Sequence, residues 1–279
     1  MKVVYKTDKG VVRSSNQDWV EVRNFGDSSF LVVICDGIGG TAGGEIASKN
    51  AAVEICNYFE NSTKKDINTV LESIKFANEK ILNIGKLDSS ISDLGTTSVV
   101  AFAKDDNLYV ANVGDSRAYI VSKPEIIQIT KDHSVVNELV MQGRMTSSEA
   151  ENAPNKNIIT RALGCANSNP DYYERKLEQG QKVLLCTDGL TNCVSDDKIK
   201  QIINENTPDD ASKKLIDEAN RNGGTDNITL AIIFDWLEEV LDKYIGKRLN
   251  ASYEELIEVG WMYFVYWDYN AEDKVKQKT

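Results

Sequence analysis

Apolar positions along the chain follow two rhythms. FLVVICDGIGG, LYVANVGDSRAY, KVLLCTDGLTN and GGTDNITLAII each carry an apolar, β-branched stretch of strand length next to glycine or asparagine, the mark of buried strands. Strand-like runs lie at 19–24, 96–103, 107–113, 116–121, 181–187 and 228–235. Between them, 44–60 is apolar enough to pack on a sheet, and 66–86 places Ile67, Val70, Leu71, Ile74, Ala77, Ile81 and Ile84 at helical spacing. Ser134 predicts a cap for a helix over 135–142 that ends at Gly143, and Thr146-x-x-Glu149 reads as a capping box for another short helix. Two helices follow the 181–187 strand, the second opened by Thr207-Pro208-Asp209-Asp210 and closed by Gly223-Gly224. Strands in blocks with helices in pairs predict α+β layering rather than βαβ alternation.

Aspartate marks the mouths of the four main runs. Asp36, Asp115 and Asp188 are placed where a strand stops, and Asp226 where one starts. In antiparallel neighbours the end of one strand lies beside the start of the next, so the four can share one rim. Any single Asp-Gly is a common turn signal. Clustered carboxylates are tolerable only if they protonate or bind cations, and hard divalent ions take such ligands. The set points to a metal site. Arg13 and Asp18, in RSSNQD ahead of the WVEVRN run, add an arginine and a fifth carboxylate.

RSSNQD, CDGIGG-x3-GEIAS, LGTTSVVA, VANVGDSRAY, TKDHSVVNELV, NIITRALG, LLCTDGLTN and GGTDNIT, in that order, resemble the metal-dependent protein phosphatases (protein phosphatase type 2C), bacterial branch, from about residue 3 to about residue 234. The resemblance implies a four-layer α-β-β-α sandwich with two central antiparallel sheets. It implies a serine/threonine phosphoprotein phosphatase in which two Mg²⁺ or Mn²⁺ ions, with a third, weaker one as a further option, activate a bridging water for in-line hydrolysis. On that resemblance Asp36 bridges both metals and the Gly37 carbonyl is a further ligand. Asp188 and Asp226 complete the first ion's shell, Asp18 acts near the second through water, and Asp115 holds the third with Asp188. Arg13 clamps the phosphate, a task that suits its planar fork of donors; a surface ion pair is the plainer reading. Substrates are phosphoserine and phosphothreonine proteins, and a cognate serine/threonine kinase is the implied opposite number.

The chain departs from the family at two places. Ile38 stands where some relatives carry a candidate general-acid histidine. The flap, about 131–160, has Ala153-Pro154 where bacterial members often have His-Pro. His133, the sole histidine, reads as a helix-entry residue rather than as a replacement acid. Arg117 reads as half of a buried ion pair, and Asn227 as a residue that orients backbone near Asp226.

Composition narrows the partners. Among 279 residues, 32 are Lys or Arg and 43 are Asp or Glu, a net charge of −11. An acidic chain without a basic block argues against nucleic acid and anionic membranes. Five cysteines without a CxxC pair fit a reducing compartment. The start MKVVYKTDKG lacks an apolar signal region, and no run reaches membrane-spanning length, so a cytoplasmic protein is expected. Residues 1–235 read as the phosphatase domain. Residues 236–279 read as a C-terminal helical extension whose run WMYFVYW is either docked on the domain or a contact surface for another protein. The rival reading is a catalytically idle phosphoprotein-binding module; a hydrolase of small phosphate esters is another.

Overall fold

The computed structural model describes residues 1–26, 28–38, 43–87, 94–151 and 153–235. They fall almost wholly in one unit, Met1–Phe234; the second unit is Asp235–Thr279, and the stretch 236–279 read above as a helical extension lies outside the described residues.

Among the described residues, eleven strands build two antiparallel sheets. The first contains β1 (Lys2–Asp8), β11 (Ile228–Phe234), β10 (Lys182–Cys186), β7 (Arg117–Val121) and β8 (Ile126–Gln128), in that spatial order. The second runs β2 (Asp18–Asn24), β3 (Ser29–Ile38), β5 (Ser98–Lys104), β6 (Asn107–Val113), β9 (Asp171–Lys176), and the two-residue β4 (Gly95–Thr96) pairs with the end of β3. Side chains alternate across a strand, so each run feeds two layers. From β3, Val32 and Ile34 point inward and meet Val183, Leu185, Ala231 and Ile233 of the other sheet. Leu31, Val33 and Cys35 point outward, against α1 (Gly43–Asn61) and α2 (Ile67–Leu87). This two-sided burial explains why the runs read as continuous rather than alternating hydrophobics. On the far side of the first sheet, α7 (Pro208–Arg221) lies against β1 and β11, with α6 (Asp196–Glu205) beside it. Helix, sheet, sheet, helix is the expected sandwich.

The local signals behave as their chemistry predicts. The Ser134 side chain accepts from the Asn137 N–H to open α3 (Val135–Met141). Thr146 and Glu149 cap each other's backbone N–H at the start of α4 (Ser147–Glu151). The Thr207 hydroxyl accepts from Asp210 N–H at the head of α7. β1, β8 and β9 were not marked by the pattern. All three are edge strands, and β9, DYYERK, is largely exposed, so no apolar run announces them. Among the described residues no helix is long and apolar enough to cross a membrane.

Candidate active site

β2 and β3 pair in a register that sets Asp18 opposite Asp36. Opposed residues of an antiparallel pair share a face with Cβ atoms about 4.5–5.5 Å apart, so two carboxylates are forced side by side. The pattern stops the strand at Asp36, but β3 runs on to Ile38 by pairing Gly37 with Thr96 and Ile38 with Gly95. Gly37 has a packing role that the sequence did not reveal. A Cβ there would lie 2.3 Å from the Gly44 carbonyl oxygen and 2.6 Å from that of Gln17, so only hydrogen fits where β3, α1 and the entry to β2 meet. The Thr97 hydroxyl accepts from Asp36 N–H at 3.0 Å, while Thr97 N–H and the Thr96 hydroxyl donate to the Asp36 carbonyl at 2.9 and 2.8 Å. The backbone under Asp36 is held from both sides.

The other sheet brings its own pair. β10 and β11 are antiparallel neighbours, so the residues after one lie beside those before the other. Asp188 opens the single turn α5 (Asp188–Thr191), and Asp226 lies two residues ahead of β11. Gly189 permits this contact: a Cβ on it would sit 1.9 Å from the Asn227 carbonyl oxygen. The two sheets are tied at this rim by Thr187. Its buried hydroxyl donates to Asp18 Oδ2 at 2.9 Å and accepts from Thr229 N–H at 3.0 Å. Asp115 lies two residues beyond β6, with Asp188 and Asp132 as its principal charged neighbours. Arg117 forks onto Asp132, Nε and Nη2 reaching its carboxylate at 2.7–3.0 Å, the structural pair expected of it.

Arg13 rides on residues 9–17, a loop stapled to the start of β11 by one side chain. Asn227 donates from Nδ2 to the carbonyls of Lys9 and Ser15, both at 2.9 Å, and accepts at Oδ1 from Gln17 N–H at 2.8 Å. A side chain spent on three backbone groups has little left for a cation. The Arg13 guanidinium, half exposed, donates from Nη2 to Asp226 Oδ2 at 2.8 Å. The expected phosphate clamp and an expected metal ligand are therefore paired with each other.

Burial sets the electrostatics. It pushes the Asp18 carboxyl up to about 7, against the opposing hydrogen bonds from Thr229 and Thr187, with the charges of Asp188 and Asp226 adding to it. Asp115 is pushed up to about 8 by burial and then by Asp188. Asp36 is driven well above the carboxylate range by burial and by Asp18, and Asp188 is raised by burial and by Asp226. Carboxyls held this way either keep a proton or take a cation. Asp18 Oδ1 and Asp188 Oδ1 are buried without a hydrogen-bond partner, and both are hard carboxylate oxygens. That donor set fits a divalent ion. Among the described residues no three His, Cys, Asp or Glu side chains form a closed ligand set. An ion here would complete its shell with backbone oxygen and water, as Mg²⁺ commonly does.

His133 is elsewhere in purpose. Its N–H donates to the Gly114 carbonyl at 2.9 Å, its Nδ1 accepts from Gly114 N–H at 3.1 Å, and Nε2 stands 3.2 Å from Asp171 Oδ2. Burial lowers its pKa, against the pull of Asp171. The ring braces the residue before Asp115 and sits just ahead of the Ser134 cap, as the plainer reading anticipated. Between body and flap runs a cleft of about 790 Å³ lined by Asp115, Arg117 and Asp188 on one side and Val140, Ser147 and Lys156 on the other.

Comparison with known proteins agrees with this geometry. Residues 11–226 match the family Protein phosphatase 2C. Protein phosphatase PhpP of Streptococcus pneumoniae is 36% identical over 239 residues, covering 84% of this chain and 97% of its own. The serine/threonine phosphatase of S. agalactiae has a solved structure that superposes with a TM-score of 0.79 at 36% identity, over 84% of this chain and 98% of that one. The catalytic domain of the serine/threonine protein phosphatase PstP, solved in complex with two manganese ions, aligns with a TM-score of 0.74 at 30% identity, over 84% and 98%. By sequence, by fold and by the carboxylates gathered at the rim of its two sheets, the chain belongs to the protein phosphatase 2C family of metal-dependent protein-serine/threonine phosphatases.

Proposed function

We propose that the chain hydrolyses phosphoserine and phosphothreonine in phosphoproteins and so opposes a serine/threonine kinase. The observation that carries this is the opposed Asp18–Asp36 pair, with unpartnered buried oxygens on Asp18 and Asp188 at the same rim. Asp36, Asp188 and Asp226 would hold one Mg²⁺ or Mn²⁺, with the Gly37 carbonyl as a further ligand at this pair of ions. Asp36, with Asp18 through water, would hold a second, and Asp115 with Asp188 a third. Ions held there neutralise phosphoryl oxygens and lower the pKa of water near neutrality. The remaining work belongs to the chain's own groups. Asp36 and Asp188 fix where positive charge is concentrated; Thr97 holds the backbone of Asp36, and Asn192 donates to the Asp188 carboxylate. Arg13 orients the phosphate with the donors that its single bond to Asp226 leaves over, since in-line transfer depends chiefly on positioning and electrostatics.

Phosphate release from a phosphothreonine peptide, with Mn²⁺ or with chelator, tests the reading on wild type and Asp36→Asn. Release should require the ion and fall by about 10³-fold in the variant, the equivalent of several kcal/mol of charge stabilisation. A wild type that binds Mn²⁺ yet releases no phosphate would instead support the idle phosphoprotein-binding module.

A further inference from the structure

Val11 and Val12 immediately precede Arg13 and are 66% and 65% exposed. Single exposed hydrophobes are ordinary. These are the sole consecutive pair of large exposed apolar side chains among the described residues, and their backbone is not loose. Both N–H groups donate to the Gly224 carbonyl, at 2.9 and 3.1 Å. Asn227 holds the Lys9 and Ser15 carbonyls on either side. Gly10 lies so close to the Asp226 carbonyl that a Cβ would come within 2.1 Å of its oxygen. A pinned loop therefore presents two aliphatic side chains to water at the two positions before the arginine assigned to the phosphate.

One residue advances the chain by at most about 3.3–3.6 Å, so both valines lie within about 7 Å of Arg13 along the backbone. The residues flanking a phosphorylated side chain in an extended peptide are separated from it by the same small steps. We propose that Val11 and Val12 form an apolar subsite for a side chain next to the phosphorylated residue, so that the enzyme favours phosphoproteins with an aliphatic or aromatic neighbour there. The proposal rests on the phosphatase reading above, with Arg13 as phosphate clamp. A bound peptide supplies what the described residues do not: apolar surface that removes the valines from water.

The test compares kcat/KM of the full chain with Mn²⁺ on two phosphothreonine peptides that differ only in having leucine or glycine on both flanks. Wild type should favour leucine by about tenfold, and the double variant Val11→Ser, Val12→Ser should bring the ratio near one. The ratio does not depend on how much enzyme is folded, so a damaged variant still reports. Equal use of both peptides by wild type would overturn the subsite, as would a leucine preference that survives the double substitution. A change in oligomeric mass on substitution would assign the valines to a second copy of the chain and overturn it too. Failure to hydrolyse either peptide would remove the phosphatase reading itself, and the subsite with it.

Discussion

At the scale of the residue, roles divide between groups that meet charge and groups that hold them in place. Asn227 belongs to the second kind. Asn227→Ala removes three hydrogen bonds to the 9–17 loop and leaves backbone groups unsatisfied, at a cost of about 1–3 kcal/mol. Thermal unfolding should show the lower Tm, and the KM for phosphopeptide should rise because Arg13 loses its frame. His133 is braced against Gly114 rather than aimed at a leaving group. His133→Gln should therefore lower Tm while kcat stays within about fivefold and the pH–rate profile keeps both limbs; loss of a true general acid costs about 10²–10⁴-fold. The positions of Asp115, Asp188 and Asp226 beside strand ends, and the orienting role of Asn227, were legible in the sequence because turn residues mark them; Arg13, on the 9–17 loop, was marked only by its place in RSSNQD. The structural demand on Gly37 was not: a glycine next to aspartate reads as a turn, and the Gly44 carbonyl that forbids its Cβ comes from another element.

Elements were legible where one face or both are buried. The helix over Ile67–Leu87 was marked by its apolar stripe, and Val70, Ile74, Ala77 and Ile81 are indeed buried. The β8 and β9 edges escaped because short or exposed strands need little apolar sequence. The short helix α4 carries its own reciprocal cap, which suggests a local test. Thr146→Ala removes the reciprocal cap of the five-residue α4, worth about 1 kcal/mol. Hydrogen exchange over 146–151 should quicken while the global Tm moves by no more than about 2 °C, because α4 contributes no residue to either large buried cluster.

For the whole molecule, proton and cation compete for one acidic rim. Asp18, raised to about 7, and Asp115, raised to about 8, have folded-state values above their ordinary 3.8. Their contribution to stability is full below about 4 and is lost as pH rises through 7 and 8. A divalent ion replaces the lost protons, so the rise in Tm on adding Mn²⁺ over chelator should be larger at pH 8 than at pH 6. Taking the difference at each pH cancels groups that the ion does not touch, His133 among them. An equal shift at both values would separate ion binding from these carboxylates. The sequence by itself determined the buried strands, the major helices, their caps and most of the aspartates beside strand ends, because periodicity and turn chemistry act over a few neighbouring residues. Only the tertiary structure decided that Asp18 and Asp36 of one sheet meet Asp188 and Asp226 of the other. That meeting depends on the register of β2 on β3, the Thr187 hydroxyl bridging the sheets and the Gly189 contact with Asn227. The last two join positions far apart in the chain, and close packing rather than local preference selects them.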